Sequence, residues 1–441
     1  MSGNGGASER NASRRSFLKV VGASGIAGLA GCVQGTDEAT PTETATSGDG
    51  GNGDAGDGGT ATGKPTTEPI GTVKWGIINP MTGAYSGLAP GQRNGNKLAV
   101  QYVNNNDEFE FEIEPVFEDT GTDPATGRRK AKKVAEQDGA QYVFGAISSS
   151  VALGMNDFAK QNKVVYTPGA AAIPITGANC NDYVFRFETN TAQIAEACAK
   201  WTVQNLGSKV WFHIADYAYG KSVLAEWRSR MEETGDLEEV GISRSKLGAG
   251  SFESYISQIA SSEAEVAVLG MTGGDLIKFF KQAANQGLKD QVNLMAATGS
   301  FAVVRGAGGQ ATADTWNGVR YVPKVQTGDN AEFVQMYQDA YDGVPDNFAR
   351  VGYDSIRMVA RGIQEAGTAD PDEVVEVLPG LEMQTIFGTN RFRECDHQAM
   401  NPVWVGKNAM TGTGDVPGVQ LIEQVAGEDA IPPCDEVNCS L

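Results

Sequence analysis

From Ile70 onward, short apolar runs rich in β-favouring residues alternate with longer stretches whose apolar positions recur at helical spacing. Val73–Asn79 (VKWGIIN), Phe111–Phe117, Tyr142–Ile147 and Val164–Thr167 read as strands, with helices at Gly91–Asn104, Arg128–Asp138 and Val151–Gln161 between them. A second series follows. Its strands are Val210–Ala215, Val266–Gly270 and Val292–Ala297, and its helices Thr191–Leu206, Gly220–Thr234, Phe252–Ser261 and Asp275–Gln286. Strand–helix alternation at this spacing predicts an α/β protein with parallel sheets covered by helices on both faces. Two series fit two doubly wound lobes, in which ligands bind beyond the carboxyl ends of the strands.

The stretch before Ile70 has a different character. Arg14 and Arg15, in SRRSFLK, form a twin-arginine pattern ahead of the apolar run Val20–Gly31, which is too short to span a bilayer. The run ends in Leu29-Ala30-Gly31-Cys32, a lipobox that would leave Cys32 lipidated after cleavage, so residues 1–32 read as a Tat-type lipoprotein signal peptide. Residues 33–69 have no apolar periodicity and are dominated by Thr, Gly, Asp, Glu and Ala, the composition of a disordered tether. Their glycine-aspartate run lacks the apolar position of a calcium-binding repeat and occurs once, which speaks against a metal.

Charge narrows the function. With 55 acidic against 35 basic residues and a net charge of -20, the chain lacks the basic footprint of a nucleic-acid binder. An acidic surface keeps a protein soluble, and a high-salt habitat is one possible cause. Two histidines and six scattered cysteines do not suggest a metal centre, and no cofactor motif is present. Gly220-Lys221-Ser222 lacks the upstream glycine of a phosphate loop, Ala215 standing there instead. The folded part contains no nucleophile elbow. His213 lies inside an apolar strand and reads as core, and His397 lies on a polar loop without an evident nucleophile. The chain reads as a binder, not an enzyme.

The binding chemistry centres on Gln141–Ser150 (QYVFGAISSS): a strand, a glycine break, then three serines opening a helix. A helix N-terminus carries unsatisfied N–H groups and about half a positive charge, so it can hold a carboxylate or carbonyl oxygen. A plain serine cap fits the local sequence as well.

Further residues extend this picture. Pro80-Met81-Thr82-Gly83-Ala84-Tyr85-Ser86-Gly87 and Gln92-Arg93-Asn94-Gly95 resemble the first loop of type I periplasmic binding proteins. The similarity is to the branched-chain amino acid and amide-binding branch of ABC-importer solute receptors. It continues through Phe144-Gly145 and the serines, Thr167-Pro168-Gly169-Ala170, Phe185-Arg186, Asp216-Tyr217-Ala218-Tyr219-Gly220 and Asp396-His397-Gln398, covering about Gly71 to Gly406. The resemblance implies two Rossmann-like lobes joined by three crossovers, with ligand in the cleft between them. The first lobe would be 70–187 with 318–392, the second 188–317 with 393–441.

Carried over residue by residue, the resemblance makes Ser149 the serine that bonds a ligand carboxylate, with Ser150 beside it. Gly169, Ala170 and Ala171 would complete the cradle through backbone N–H groups, although Ala171 stands where relatives often carry a hydroxyl. Tyr85 and Tyr219 would wall the pocket from opposite lobes. Met271, Thr272 and Thr298 lie on the remaining loops, which contain no carboxylate to hold an ammonium group, and nearby Asp275 reads as a cap of its helix. The implied ligand is a branched-chain amino acid, an amide or another small carboxylate, passed to an ABC permease by a receptor anchored outside the cytoplasmic membrane. A sensor module of the same fold is the alternative and a secreted hydrolase a remote one; the absence of a signalling segment after the last motif favours the importer receptor. If Cys32 is lipidated, five cysteines remain, of which Cys198 is the expected free thiol; the pairing of Cys180, Cys395, Cys434 and Cys439 stays open.

Overall fold

A computed structural model describes residues 69–410 and 418–441. The expected signal peptide, Cys32, and the tether as far as residue 68 lie outside the described residues. The folded chain begins with β1 (Gly71–Asn79), α1 (Ala89–Asn104), β2 (Phe111–Asp119), α2 (Pro124–Glu136), β3 (Tyr142–Gly145), α3 (Ser149–Asn162) and β4 (Val165–Pro168). These strands form one parallel sheet in the order β2-β1-β3-β4. Asp123 caps α2 by accepting from Thr126 N–H, and proline opens the helix where no N–H is needed. Gly145 is required at the end of β3. Its φ is +150°, and a Cβ there would come within 2.2 Å of the Ile78 carbonyl oxygen.

The chain then crosses to a second sheet through α4 (Thr191–Leu206), whose start is a reciprocal capping box between Asn190 and Gln193. There follow β5 (Lys209–Ala215), α5 (Ala218–Glu232), β6 (Glu238–Ser245), α6 (Glu253–Ala260), β7 (Val266–Gly270), α7 (Gly273–Asn285), β8 (Asn293–Ala296), the short helices α8 (Phe301–Ala307) and α9 (Gly309–Thr312), and β9 (Trp316–Val319). β9 carries the larger sheet as far as Val319, so Gly318, the expected first residue of a returning lobe, still belongs to it. The chain returns to pack α10 (Asn330–Ala340), α11 (Asn347–Ala366) and α12 (Pro371–Val377) on the first sheet, then forms the hairpin β10 (Met383–Thr385) and β11 (Gly388–Asn390). It crosses once more to β12 (Val403–Ala409) and β13 (Gly418–Val425), both antiparallel to their neighbours, and ends after the short α13 (Gly427–Ala430). The larger sheet runs β13-β12-β9-β8-β7-β5-β6.

The strands at both edges of the larger sheet escape the hydrophobic pattern for a physical reason. β6 (EEVGISRS) and β13 (GVQLIEQV) lie at edges and expose much of their length, so they carry charges where central strands carry Val and Leu. The first and third crossovers are tied by buried hydrogen bonds: Asn401 Nδ2 donates to Phe187 O (2.7 Å), and Gln398 Nε2 to Glu188 O (2.9 Å).

Four cysteines pair as Cys180–Cys439 and Cys395–Cys434, and Cys198 is a buried free thiol. The C-terminal segment, expected wholly with the second lobe, is therefore fastened to the loop after β4. Both histidines are buried. His213 sits among Phe252, Tyr255 and Phe279 with Nδ1 at 2.7 Å from Ser243 Oγ. His397, expected on a polar loop, stacks on Phe185 at 4.1 Å. The polar neighbours Asp396 and Gln398 disguise its position because their own side chains are bonded inward.

Burial pushes both imidazoles down to about 4. Their unfolded values lie near 6.5, so between these limits the unfolded chain binds more protons and stability falls as pH is lowered. The expected loss by pH 4 is up to about 3 kcal/mol per histidine. Denaturant titrations at pH 7 and 4.5 should show His213→Gln losing less than wild type; equal losses would mean the ring is not held neutral.

Candidate functional site

The carboxyl ends of the central strands of the two sheets face each other, and the loops leaving them meet. From the first sheet come the loop after β1 with Tyr85, the turn from β3 into α3 with Ser148–Ser150, and the segment after β4 with Gly169–Ala172. From the second come Tyr217–Tyr219 after β5, Met271–Asp275 after β7, and Thr298 after β8. The hydroxyls of Tyr85 and Tyr217 meet across this boundary. Ala218 N–H donates to Ser150 Oγ (3.4 Å) and Ile173 N–H to Ser222 Oγ (3.0 Å). Tyr85, Leu88, Ile147 and Phe348 share one apolar cluster with Met271 and Leu276, so side chains from both sheets close over the same space.

The serines do not behave as plain caps. Ser148 is the N-cap residue of α3, but its hydroxyl makes no capping bond and is buried without a partner. Ser149 Oγ instead accepts from Ala172 N–H (3.2 Å), holding the segment after β4 against the start of α3. Among the described residues no side chain caps the first-turn amides of α3, which remain available to another acceptor. Ser149→Ala is expected to strand the Ala172 N–H and cost about 1–3 kcal/mol of stability. An unchanged melting point would show that this bond is not made.

Gly169 lies where a Cβ would come within 2.3 Å of Gln92 Nε2, an amide nitrogen that is itself buried and unpartnered. Gln92 is held by Asn79, whose Nδ2 donates to Gln92 Oε1 (3.0 Å). Ala170 and Ala171 turn their carbonyls away, to Arg186 Nη1 (3.3 Å) and Thr191 N (2.8 Å). On the second sheet the Tyr219 hydroxyl bonds Thr298 Oγ1, and burial pushes the phenol up to about 12. Thr272 Oγ1 is buried without a partner, whereas Met271 is wholly inside the apolar cluster.

Asp275 departs from the sequence expectation. No side chain caps α7; Asp275 Oδ2 accepts from Gly248 N–H (2.8 Å) on a different loop. Asp275 as a residue is only 3% exposed, and burial pushes its pKa up. It faces the first lobe closely enough that its charge, after burial and Tyr219, helps to push the Tyr85 phenol well above its ordinary range. The ring of Tyr85 in turn leaves room only for glycine at position 273, where φ is +62° and a Cβ would stand 2.8 Å from the ring.

Sequence reasoning placed the Asp275 carboxylate as a helix cap, whereas its bond runs to the Gly248 loop. The signal was present: an acid three residues into a helix that starts at a strand's carboxyl end, in a helix lacking other need of it. Tyr217 and Gln92 entered the sequence reading only inside longer motifs, and Phe348, which packs in the shared apolar cluster, was not named. The structure gathers Tyr85, Ser149, Ser150, Gly169, Ala170, Ala171, Tyr219, Thr272 and Thr298 on facing loops. Among the described residues no group of three or more His, Cys, Asp or Glu side chains could hold a metal ion.

A family model described as periplasmic binding protein matches residues 72–413. A Leu/Ile/Val-binding protein homolog of Brucella melitensis is 24% identical over 326 residues, covering 72% of this chain and 86% of the relative. A leucine-, isoleucine-, valine-, threonine- and alanine-binding protein of Pseudomonas aeruginosa is 23% identical over 329 residues, covering 73% and 86%. Among solved structures, a periplasmic binding protein of Burkholderia mallei superposes with a TM-score of 0.76 at 24% identity, covering 84% of this chain and 99% of that one. An ABC-transporter solute binding protein of Rhodopseudomonas palustris, in complex with 3,4-dihydroxybenzoic acid, gives 0.74 at 22% identity, covering 81% and 98%.

Proposed function

This chain belongs to the periplasmic binding protein family, and from that membership we propose that it is the solute receptor of an ABC importer, binding a free α-amino acid in the cleft between its lobes. The family is one of binding proteins, not enzymes. The single observation that carries the ligand class is the pairing of opposite electrostatic ends across the cleft. The uncapped start of α3 and the amides of Ala170 and Ala171 offer donors and partial positive charge to a carboxylate, whereas the expected Gly169 N–H is spent on Gly145 O (3.3 Å). Asp275, on the other lobe, offers a buried negative charge to an ammonium group. A zwitterion satisfies both at once, and leaving either unpaired in a buried site is costly. The relatives named for leucine, isoleucine and valine point the same way.

Because one end of the ligand is held by each lobe, binding favours the closed arrangement, which a permease can then recognise. Residues 188, 320 and 392–401 would act as the hinge. Amino acid released by denaturing the purified protein and identified by mass spectrometry tests the reading directly; an aromatic acid lacking an amine would replace it with the ligand class of the Rhodopseudomonas structure.

For the anchor, the twin arginines and Cys32 support folded export followed by lipidation. Cys32→Ala should be exported yet appear in the soluble fraction, and Arg14→Lys with Arg15→Lys should leave precursor inside the cell. A Cys32→Ala protein that still sediments with membranes would sink the lipid-anchor proposal. Among the described residues no helix is long and apolar enough to cross a membrane.

A further inference from the structure

At the hinge end of the cleft lies a buried arginine that the amino-acid reading leaves without a task. Arg320 follows β9 at the second crossover, and its side chain is 4% exposed. Its guanidinium lies 5.3 Å from the ring centre of Phe348, which belongs to the apolar cluster shared by Tyr85, Ile147 and Met271. Among the described residues its one polar contact is Glu188 Oε2, 3.1 Å from Nη1.

Glu188 has little capacity left to offer. Its carboxylate, fully buried, also accepts from Thr189 N–H (2.8 Å) and Asn347 Nδ2 (2.9 Å), with Arg350 Nη2 at 3.8 Å. Glu188 therefore neutralises the arginine along one edge, while the remaining guanidinium donors meet no acceptor among the described residues. The position of Arg320 over Phe348 sets the guanidinium against the apolar cluster shared by the loops that meet at the cleft.

An aliphatic ligand side chain would leave these groups buried and unpaired. A carboxylate matches the guanidinium fork with two parallel hydrogen bonds, which an amide cannot do. We propose that Arg320 is the specificity-determining residue of the cleft and that the ligand is an α-amino acid with a second, side-chain carboxylate. The proposal rests on the amino-acid reading above: α-carboxylate at the start of α3, ammonium at Asp275, and side chain running over Phe348 toward Arg320.

Calorimetric titration of the full-length protein with L-glutamate, L-aspartate, L-glutamine and L-leucine tests both statements separately. One acidic amino acid is expected to bind at least tenfold more tightly than glutamine or leucine. Arg320→Met should lose at least tenfold for that acid and change leucine by less than threefold, with Arg320→Lys recovering part of the loss. If leucine or glutamine binds as well as the acids, the inference is overturned and the amino-acid reading stands. If none of the four binds, the amino-acid reading fails and this inference with it. Arg320→Met weakening every ligand alike would assign the arginine to the hinge alone and overturn the inference. Should that variant fail to fold, the wild-type ranking of the four ligands decides by itself.

Discussion

Asp275→Asn should weaken amino-acid binding by roughly 100- to 1,000-fold, about 3–4 kcal/mol, while leaving the melting point of the unliganded protein almost unchanged. The two effects separate because the side chain has two roles. Its structural role is to accept from Gly248 N–H, and the amide oxygen of asparagine can do the same. Its electrostatic role is to neutralise a buried ammonium, and a neutral amide cannot. The carboxylate is almost inaccessible, so water does little to screen the loss. A deaminated analogue of the best ligand should lose far less on the same substitution, since it presents no ammonium. Binding in the wild type should also fade on acidification sooner than for an ordinary carboxylate, because burial raises the Asp275 pKa and the protonated form has no charge to offer. Equal affinity of wild type and Asp275→Asn for an amino acid would remove Asp275 from the site.

The second large effect concerns the C-terminal segment. Breaking Cys180–Cys439 with paired serine substitutions should destabilise the protein by about 2–5 kcal/mol. The crosslink spans a sequence separation of 259 residues, so it restricts the unfolded chain heavily. It also closes a strap. Ala430 is buried with the core of the second sheet, Pro432 O accepts from Arg393 Nη1 (2.7 Å), Cys434 is bonded to Cys395 at the third crossover, and Cys439 reaches the loop after β4. Denaturant midpoints with and without reductant measure the effect. Cys198 should stay unreactive until unfolding, because burial pushes its thiol well above the usual range. Four thiols reacting in the native, oxidised protein at residues 180, 395, 434 and 439 would contradict both bridges.

Much of the architecture is legible in the residues because it rests on local physics. Alternating apolar runs at strand length and helical period define the parallel core of both sheets, and Gly145 marks the one place where β3 must stop and the chain must turn. The edge strands β6 and β13 were illegible because an exposed edge tolerates the same polar residues as a loop. Ser149 and Ser150 could be singled out from their place after a strand, and Tyr219 from the resemblance. Their partners could not: Ala172 N–H, Ala218 N–H and Thr298 Oγ1 come from separate elements.

The same division runs through the charged groups. Asp275 has the sequence of a helix cap, and only the approach of the Gly248 loop shows that its carboxylate is bonded outside its own helix. Glu188 and Arg320 carry no motif at all, since the pair forms where two crossovers lie side by side. By itself the sequence determined the class of fold and most elements of the parallel core as far as residue 297, and it marked candidate site residues at strand ends, because periodicity and strand-end chemistry are read within a few residues. Which charges share a buried space, and which cysteines share a bond, were decided by tertiary structure, because low-dielectric pairing and crosslinking depend on distances between segments far apart in the chain.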